Sequence, residues 1–152
     1  MASEVWQTTR AKGRTPRWAF RVTQDGEVVF ESVWVSVGYR SREDATWLAE
    51  LVSALCERGA FRGCPGHAGP PATPIPWGGD FGDDCSAFVG ELYLHAEHLY
   101  GPVRGGFWYC SVTRAGESLF HTAGRGIDPR SGEAARWLCE IVADAVTTGV
   151  WD

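Results

Sequence analysis

The sequence lacks any run of about 18 apolar residues, the length that an apolar helix needs to span a bilayer. Residues 1–14 contain no apolar stretch of the kind that a secretory signal requires, so we expect a cytoplasmic protein. The motifs G-x-S-x-G, H-E-x-x-H and the phosphate-binding P-loop are also missing. These absences argue against a membrane protein and leave no recognisable set of residues for nucleophilic or acid–base catalysis.

Cysteine is present without the pattern of a disulfide framework. The five cysteines are an odd number and have no regular spacing. In a reducing compartment such cysteines are free thiols, so we expect no disulfide to staple the fold.

Positive charge is concentrated near the beginning of an otherwise acidic chain. The net charge is -5, yet residues 1–16 hold Arg10, Lys12 and Arg14 against a single acid, Glu4. An acidic body repels phosphate backbones, so we expect no nucleic-acid partner. We interpret residues 1–16 as a basic arm that lies on the protein's own acidic surface or stays mobile.

The sequence does contain an internal repeat of roughly 45 residues. At a constant offset of 90, fifteen of the 42 positions from Trp18 to Gly59 hold the same residue in both copies. Chance matching at one offset would give only a handful of identities. We therefore expect one compact domain that consists of the arm, repeat 1 at 17–59, an insertion at 60–104 and repeat 2 at 105–152.

Each repeat has the pattern of strands followed by a helix. Strand-forming residues surround Asp25-Gly26, a dipeptide typical of tight hairpin turns. Ser41 can cap a helix at its start, and Arg58-Gly59 can end it. The predicted elements of repeat 1 are strands at Arg17–Thr23, Glu27–Ser32 and Val33–Tyr39 and a helix that begins at Ser41.

Repeat 2 departs from this pattern at Ala123–Pro129, which holds two glycines and a proline. Such residues are poor strand formers, so we expect a loop or a broken edge strand there.

One ββ(β)α unit cannot cover both its sheet and its helix. We therefore predict an α+β fold in which two tandem ββ(β)α repeats pack with pseudo-two-fold symmetry, with an antiparallel sheet and helices on one side. The matched pairs Trp18/Trp108 and Trp47/Trp137 would then belong to the core.

The insertion is rich in proline and glycine between residues 61 and 82, which favours an extended path. From Asp83, apolar residues at helical spacing predict a helix that Gly101-Pro102 ends. A strand from Phe88 to Leu94 is the alternative, because Leu92 and Leu94 alternate with polar neighbours.

Potential metal ligands gather in the insertion. Cys64-x-x-His67 and His95-x-x-His98 have spacings that can place two ligands on one metal, and Cys85 lies between the pairs. Zinc accepts a mixed cysteine and histidine set, so a zinc site is one hypothesis. Unpaired thiols and surface histidines, with no cofactor, are the alternative.

Repeat 2 also offers residues for an anion site. Arg125 lies between two glycines, and Arg130 precedes Ser131 at the predicted start of a helix, where backbone N–H groups attract phosphate or carboxylate. Arg40 repeats this arrangement in repeat 1, and His121 differs from its counterpart Glu31. A solvated loop is the alternative interpretation.

Repeat 1 resembles the YegP-like family of small bacterial tandem-repeat proteins. The resemblance rests on Gly26-Glu-Val-Val-Phe-Glu-Ser32, then on Gly38-Tyr-Arg-Ser41, and on Ala45 in the following helix. It implies a tandem ββ(β)α fold and implies no activity.

Three functions follow as hypotheses. The first is a non-catalytic binding or structural module with a protein partner, in which the insertion provides contacts. The second is an acidic inhibitor or immunity-type protein that blocks a basic partner. The third is a small-ligand or anion binder, or an enzyme, that works between the repeats. A homodimer is compatible with all three.

Overall fold

The computed structural model describes residues 1–8, 17–64, 74–99 and 107–151. Two helices and ten strands lie in these ranges. Their bounds are β1 Ala2–Thr8, β2 Arg17–Gln24, β3 Glu27–Glu31, β4 Val37–Tyr39, α1 Arg42–Glu57, β5 Gly78–Asp80, β6 Asp84–Val89, β7 Leu92–Leu99, β8 Phe107–Arg114, β9 Glu117–His121, β10 Ile127–Pro129 and α2 Gly132–Thr147, with short 3₁₀ turns at Ser32–Trp34 and Thr122–Gly124.

The strands pair antiparallel throughout, which confirms the α+β class. The described strands form two sheets and a ribbon rather than one sheet. The first sheet has the order β1-β2-β3, the second has the order β5-β6-β7-β8-β9, and β4 pairs with β10. Helix α1 packs on β1 and β2, while α2 packs on β7 and β8.

The hairpin turns follow from local sequence. Asp25 and Gly26 have φ angles of 53° and 80°, and Ala115 and Gly116 have 52° and 80°. Two successive positive φ angles define the type I′ turn, whose twist matches that of the flanking strands. The hairpin predicted at Asp25-Gly26 is confirmed.

The helix signals are also confirmed. The Oγ atoms of Ser41 and Ser131 accept hydrogen bonds from the backbone N–H groups of Asp44 and Ala134, which would otherwise lack partners. Helix α1 ends where Gly59 takes a φ of 67°, a conformation that costs glycine little.

The predicted third strand, Val33–Tyr39, is only partly extended. Residues Ser32–Trp34 form a 3₁₀ turn, and β4 spans Val37–Tyr39 alone. Its counterpart Ile127–Pro129 is strand β10, so of the two alternatives expected for Ala123–Pro129 the broken edge strand is confirmed and the loop is wrong. A two-stranded ribbon leaves one side of each strand without a partner, and Pro129 can therefore lack an N–H without loss of a ladder bond.

The helix predicted from Asp83 is wrong, because this region forms the β6–β7 hairpin. Burial alternates along β7, where Leu92, Leu94 and Ala96 face the core. That period of two belongs to a strand with one buried face. The alternative strand at Phe88–Leu94 anticipated the alternation but not the turn at Gly90, whose φ is 59°.

Part of the predicted basic arm is strand β1, which pairs with β2 from Ala2↔Thr23 to Thr8↔Arg17. Arg21 lies beside this strand, over the ring of Trp6 at 4.9 Å. The remaining arm residues, with Arg10, Lys12 and Arg14, lie outside the described ranges.

The core contains only part of the tryptophan set that the repeat predicted. Trp137 and Trp108 are 3% and 9% exposed, whereas Trp18 and Trp47 are half-buried at its margin. Trp47 and Trp137 lie at matching positions of α1 and α2, so the two helices differ in how deeply this tryptophan is buried.

Among the helices that the structure describes, none is both long and apolar enough to cross a membrane.

Candidate functional site

The candidate zinc ligands do not converge in the described part of the chain. In β7, inward and outward positions alternate, so His95 and His98 point to opposite faces of the sheet. Cys85 is buried and Cys64 is half-buried, while His67 lies outside the described ranges. No three His, Cys, Asp or Glu side chains of the described residues form a group that could hold a metal.

Both described histidines of this set have other contacts. His95 Nε2 lies 2.8 Å from Asp84 Oδ1, on the sheet face away from the helices. There it stacks with Tyr93, which in turn contacts the exposed ring of Phe88. His98 stacks on Trp108 with ring centroids 5.2 Å apart.

The five candidate anion-site residues occupy separate places. Arg40 donates two hydrogen bonds to the carboxylate of Asp128, at 2.8 and 3.0 Å. His121 Nδ1 accepts from the backbone N–H of Gly124, and the Ser131 hydroxyl is the helix cap. Arg125 and Arg130 line two different cavities. Among the described residues, neither of these two cavities is lined by any of the other four candidates.

A groove over Trp137, on the surface of α2, has the chain's own residues 62–64 as part of its lining. This Trp137 groove has a volume of about 260 Å³ and is lined by Arg62, Gly63, Cys64, Pro74, Glu133, Arg136, Trp137 and Glu140. The indole Nε1 of Trp137 donates to the carbonyl oxygen of Gly63 at 2.8 Å. The segment thus satisfies the polar atom of a buried tryptophan.

Arginine and tryptophan side chains attach the same segment to α2. Arg62 donates to both carboxylate oxygens of Asp144, at 2.5 and 2.9 Å, and to Glu140 at 3.3 Å. Trp77 Nε1 donates to the other oxygen of Glu140 at 3.0 Å. Burial raises the pKa of Glu140, and this effect outweighs the opposing effects of Trp77 and Arg62.

The corresponding surface of α1 is an open cleft of about 550 Å³. The lining of this Trp47 cleft is Arg42, Glu43, Thr46, Trp47, Glu50 and Arg125. At the offset of 90, Trp47 and Glu50 correspond to Trp137 and Glu140 of the Trp137 groove.

Three side chains hold the Trp47 ring in place. Phe120 stacks with it at a centroid distance of 5.5 Å, and Trp151 meets it edge-on at 5.6 Å. The guanidinium carbon of Arg125 lies 3.9 Å from the ring centroid, which is a close cation–π contact. The ring is therefore fixed before anything binds in the cleft.

Several polar groups of the residues that line the cleft lack a hydrogen-bond or ion-pair partner within the described part of the chain. Within the described residues, Trp47 Nε1 has no acceptor, and Glu43 and Glu50 have no cationic partner. Both carboxylates are exposed, whereas the two arginines of the lining lie against rings, Arg125 over Trp47 and Arg42 over Trp18. The lining thus holds two carboxylates without an ion pair and two arginines that lie against aromatic rings.

Sequence reasoning missed this cleft because it placed Trp47 in the core. One signal was available in the comparison of the two repeats. Position 125 holds arginine where repeat 1 has Val35, which is buried. Arg125 is charged and lies over Trp47, whereas Val35 is apolar. The two repeats therefore differ at this position in what can cover the tryptophan.

Comparisons of the chain with protein families, with curated proteins and with solved structures find no match.

Proposed function

We propose that this protein is a non-catalytic binding module that recognises another protein, with the Trp47 cleft as its recognition surface. The observation that carries the proposal is the unequal cover of two corresponding tryptophans. Trp137 is 3% exposed and donates to the Gly63 carbonyl, whereas Trp47 is only partly buried and lines the larger of the two cavities. Aromatic rings with one polar atom are frequent anchors at protein interfaces, because they bury a large area at low entropic cost.

The rigidity of the cleft also supports binding. Trp47 is held by Phe120, Trp151 and Arg125, so association would order few additional side chains. Binding to a preformed surface wastes less free energy on ordering than binding to a mobile one.

We also propose that the two repeats are related by a pseudo-two-fold axis through the β4–β10 ribbon. Reciprocal contacts support this arrangement: Phe30 stacks on Trp137 of the other repeat, and its counterpart Phe120 stacks on Trp47. The backbone N–H groups of Arg40 and Arg130 likewise donate across the ribbon, to Gly126 and Ser36 at 2.8 Å each. The likeness to the YegP-like family remains a prediction, as do the inhibitor and small-ligand hypotheses.

Selection from a random peptide library displayed on phage tests the binding proposal. The cleft variant is Thr46→Arg, which copies the arginine that repeat 2 carries at position 136 and which the helix therefore tolerates. The control is Phe88→Ser, which removes an apolar side chain 68% exposed on the second sheet. Circular dichroism of each variant confirms that it is folded.

We expect wild type and Phe88→Ser to enrich the same peptides, and Thr46→Arg to lose them. Enrichment that persists in Thr46→Arg, or that is lost in Phe88→Ser, would assign binding to another surface. A complete lack of enrichment on folded wild type would also contradict a peptide-recognising cleft.

A further inference from the structure

Residues 61–64, which contact α2 at the Trp137 groove, indicate which kind of ligand the Trp47 cleft can bind. Residues 61–64 supply two complementary groups to α2: the Gly63 carbonyl accepts from Trp137 Nε1, and the Arg62 guanidinium pairs with Glu140 and Asp144. The carbonyl and the guanidinium come from adjacent residues of one segment, in which Gly63 has a φ of 79°. Recognition here depends on backbone geometry and a single cation.

The Trp47 cleft presents the matching half of this arrangement. Its indole donor and the Glu50 carboxylate are in the same helical relation, three residues apart, as Trp137 and Glu140. Glu43 adds a second carboxylate one turn before Trp47, in the place of Glu133. None of these three cleft groups has a partner of the required kind among the described residues.

From this correspondence, and resting on the proposed function, we infer that the Trp47 cleft binds a peptide segment of a partner protein that carries an arginine. The arginine pairs with Glu50, and the carbonyl of the next residue accepts the hydrogen bond of Trp47 Nε1. The aliphatic part of the arginine and its neighbours pack beside the Trp47 ring.

Differences between the Trp137 groove and the Trp47 cleft determine the affinity that we expect for the peptide. Position 54 is alanine where position 144 is aspartate, so the peptide arginine meets Glu50 without a bidentate carboxylate beside it. Arg125 also remains over Trp47 and repels a cation placed directly on the ring. The side chain of the ligand must therefore approach along α1, from the side of Glu43 and Glu50, and the affinity is modest.

The probe for a direct test is the chain's own sequence from Gly59 to Cys64, made as a fluorescein-labelled peptide with serine in place of the cysteine. A second peptide has glutamine in place of its arginine. Free peptide cannot displace residues 61–64 from the Trp137 groove, because the tethered segment has a far higher effective concentration. Fluorescence anisotropy with full-length protein thus reports the open cleft.

We expect the arginine peptide to bind wild type, and the glutamine peptide to bind about tenfold more weakly, as the loss of one charge-assisted pair predicts. Glu50→Gln should weaken the arginine peptide by a similar factor, and Thr46→Arg should abolish binding. Glu91→Gln, at the exposed β6–β7 turn, is the matched control and should leave binding unchanged.

The outcomes separate this inference from the proposed function. If the phage library yields peptides that require the cleft but carry no arginine or lysine, and the two labelled peptides do not differ, the cleft binds proteins by another chemistry and this inference is wrong. If no peptide is sensitive to Thr46→Arg, both proposals fail. Equal weakening by Glu50→Gln and Glu91→Gln would overturn the specific pairing with Glu50.

Discussion

Trp47 of the first helix stacks on Phe120 of the second sheet, with ring centroids 5.5 Å apart and only 7° between the planes. Trp137 and Phe30 form the reciprocal pair, at 5.3 Å and 12°. Each helix thus contributes a tryptophan to the opposite sheet. The two pairs differ in burial and in the hydrogen bond of the indole, so their energetic roles can be compared directly.

The first prediction concerns these two tryptophans. Trp137→Phe removes a buried indole and leaves the Gly63 carbonyl without its donor, and it should lower the free energy of unfolding by about 2–3 kcal/mol. Trp47→Phe keeps the stack on Phe120 and loses no hydrogen bond within the described residues, so it should cost roughly 0.5–1 kcal/mol. Urea denaturation measures both. Equal losses would contradict the difference in cover.

The second prediction concerns Glu140, whose pKa is raised by burial. The folded protein then binds a proton at this carboxyl at a higher pH than the unfolded chain does. The Glu140 contribution to stability therefore decreases as pH rises from the ordinary glutamate pKa, about 4.3, through the raised value, and is constant above it.

Glu140→Gln removes that titration and retains an acceptor for Trp77 Nε1. We expect the variant to gain stability relative to wild type as pH rises through this window, in urea denaturation series at several pH values. Glu133→Gln, an exposed neighbour on the same helix, is the control. A difference between wild type and Glu140→Gln that does not change with pH would refute the assignment.

The third prediction concerns a buried hydroxyl. Tyr39 is 2% exposed, and its hydroxyl oxygen has no hydrogen-bond partner among the described residues. Burial also raises the pKa of this group. Tyr39→Phe keeps the edge-on contact with Phe20 and should raise the free energy of unfolding by about 1 kcal/mol, because an unsatisfied polar group leaves the core. A loss of stability in thermal denaturation would show that the hydroxyl has a partner.

The fourth prediction concerns thiol reactivity. All five cysteines are free, and burial raises the pKa of Cys56 to about 11 and those of Cys64, Cys85 and Cys110 in the same direction. The thiolate is the reactive form, so Cys56 should react with a disulfide reagent at pH 8 roughly two orders of magnitude more slowly than an ordinary cysteine. Reagent titration should count five thiols after denaturation. A fast-reacting thiol in the native protein would contradict the protection.

Local signals in the sequence predicted the turns and the helix ends, because those features depend on a few adjacent residues. Asp25-Gly26, Ser41 and Gly59 each satisfy a backbone requirement within their own segment. The same approach failed at β6 and β7. Leu92 fits a helical spacing with Leu99 and a strand alternation with Leu94, and only pairing with the neighbouring strands β6 and β8 decides between the two.

Apart from the difference between Arg125 and Val35, the sequence carried no signal for the candidate site, for a similar reason. Trp47 and Trp137 occupy matching positions, and nothing near either residue states which one the insertion will cover. The decisive contact joins Gly63 to Trp137 across 74 residues. A periodic pattern identifies a face that must be covered, but it does not identify the segment that covers it.

The centre of the β4–β10 ribbon has a consequence for how the two halves recognise each other. Gly38 pairs with Asp128 there, and Asp128 holds Arg40. If two first halves met through this ribbon, each arginine would lose its carboxylate, and two second halves would bring a pair of aspartates face to face, which is unfavourable. Halves expressed as separate polypeptides would therefore associate as mixed pairs. The ribbon would disfavour the pairing of two identical halves.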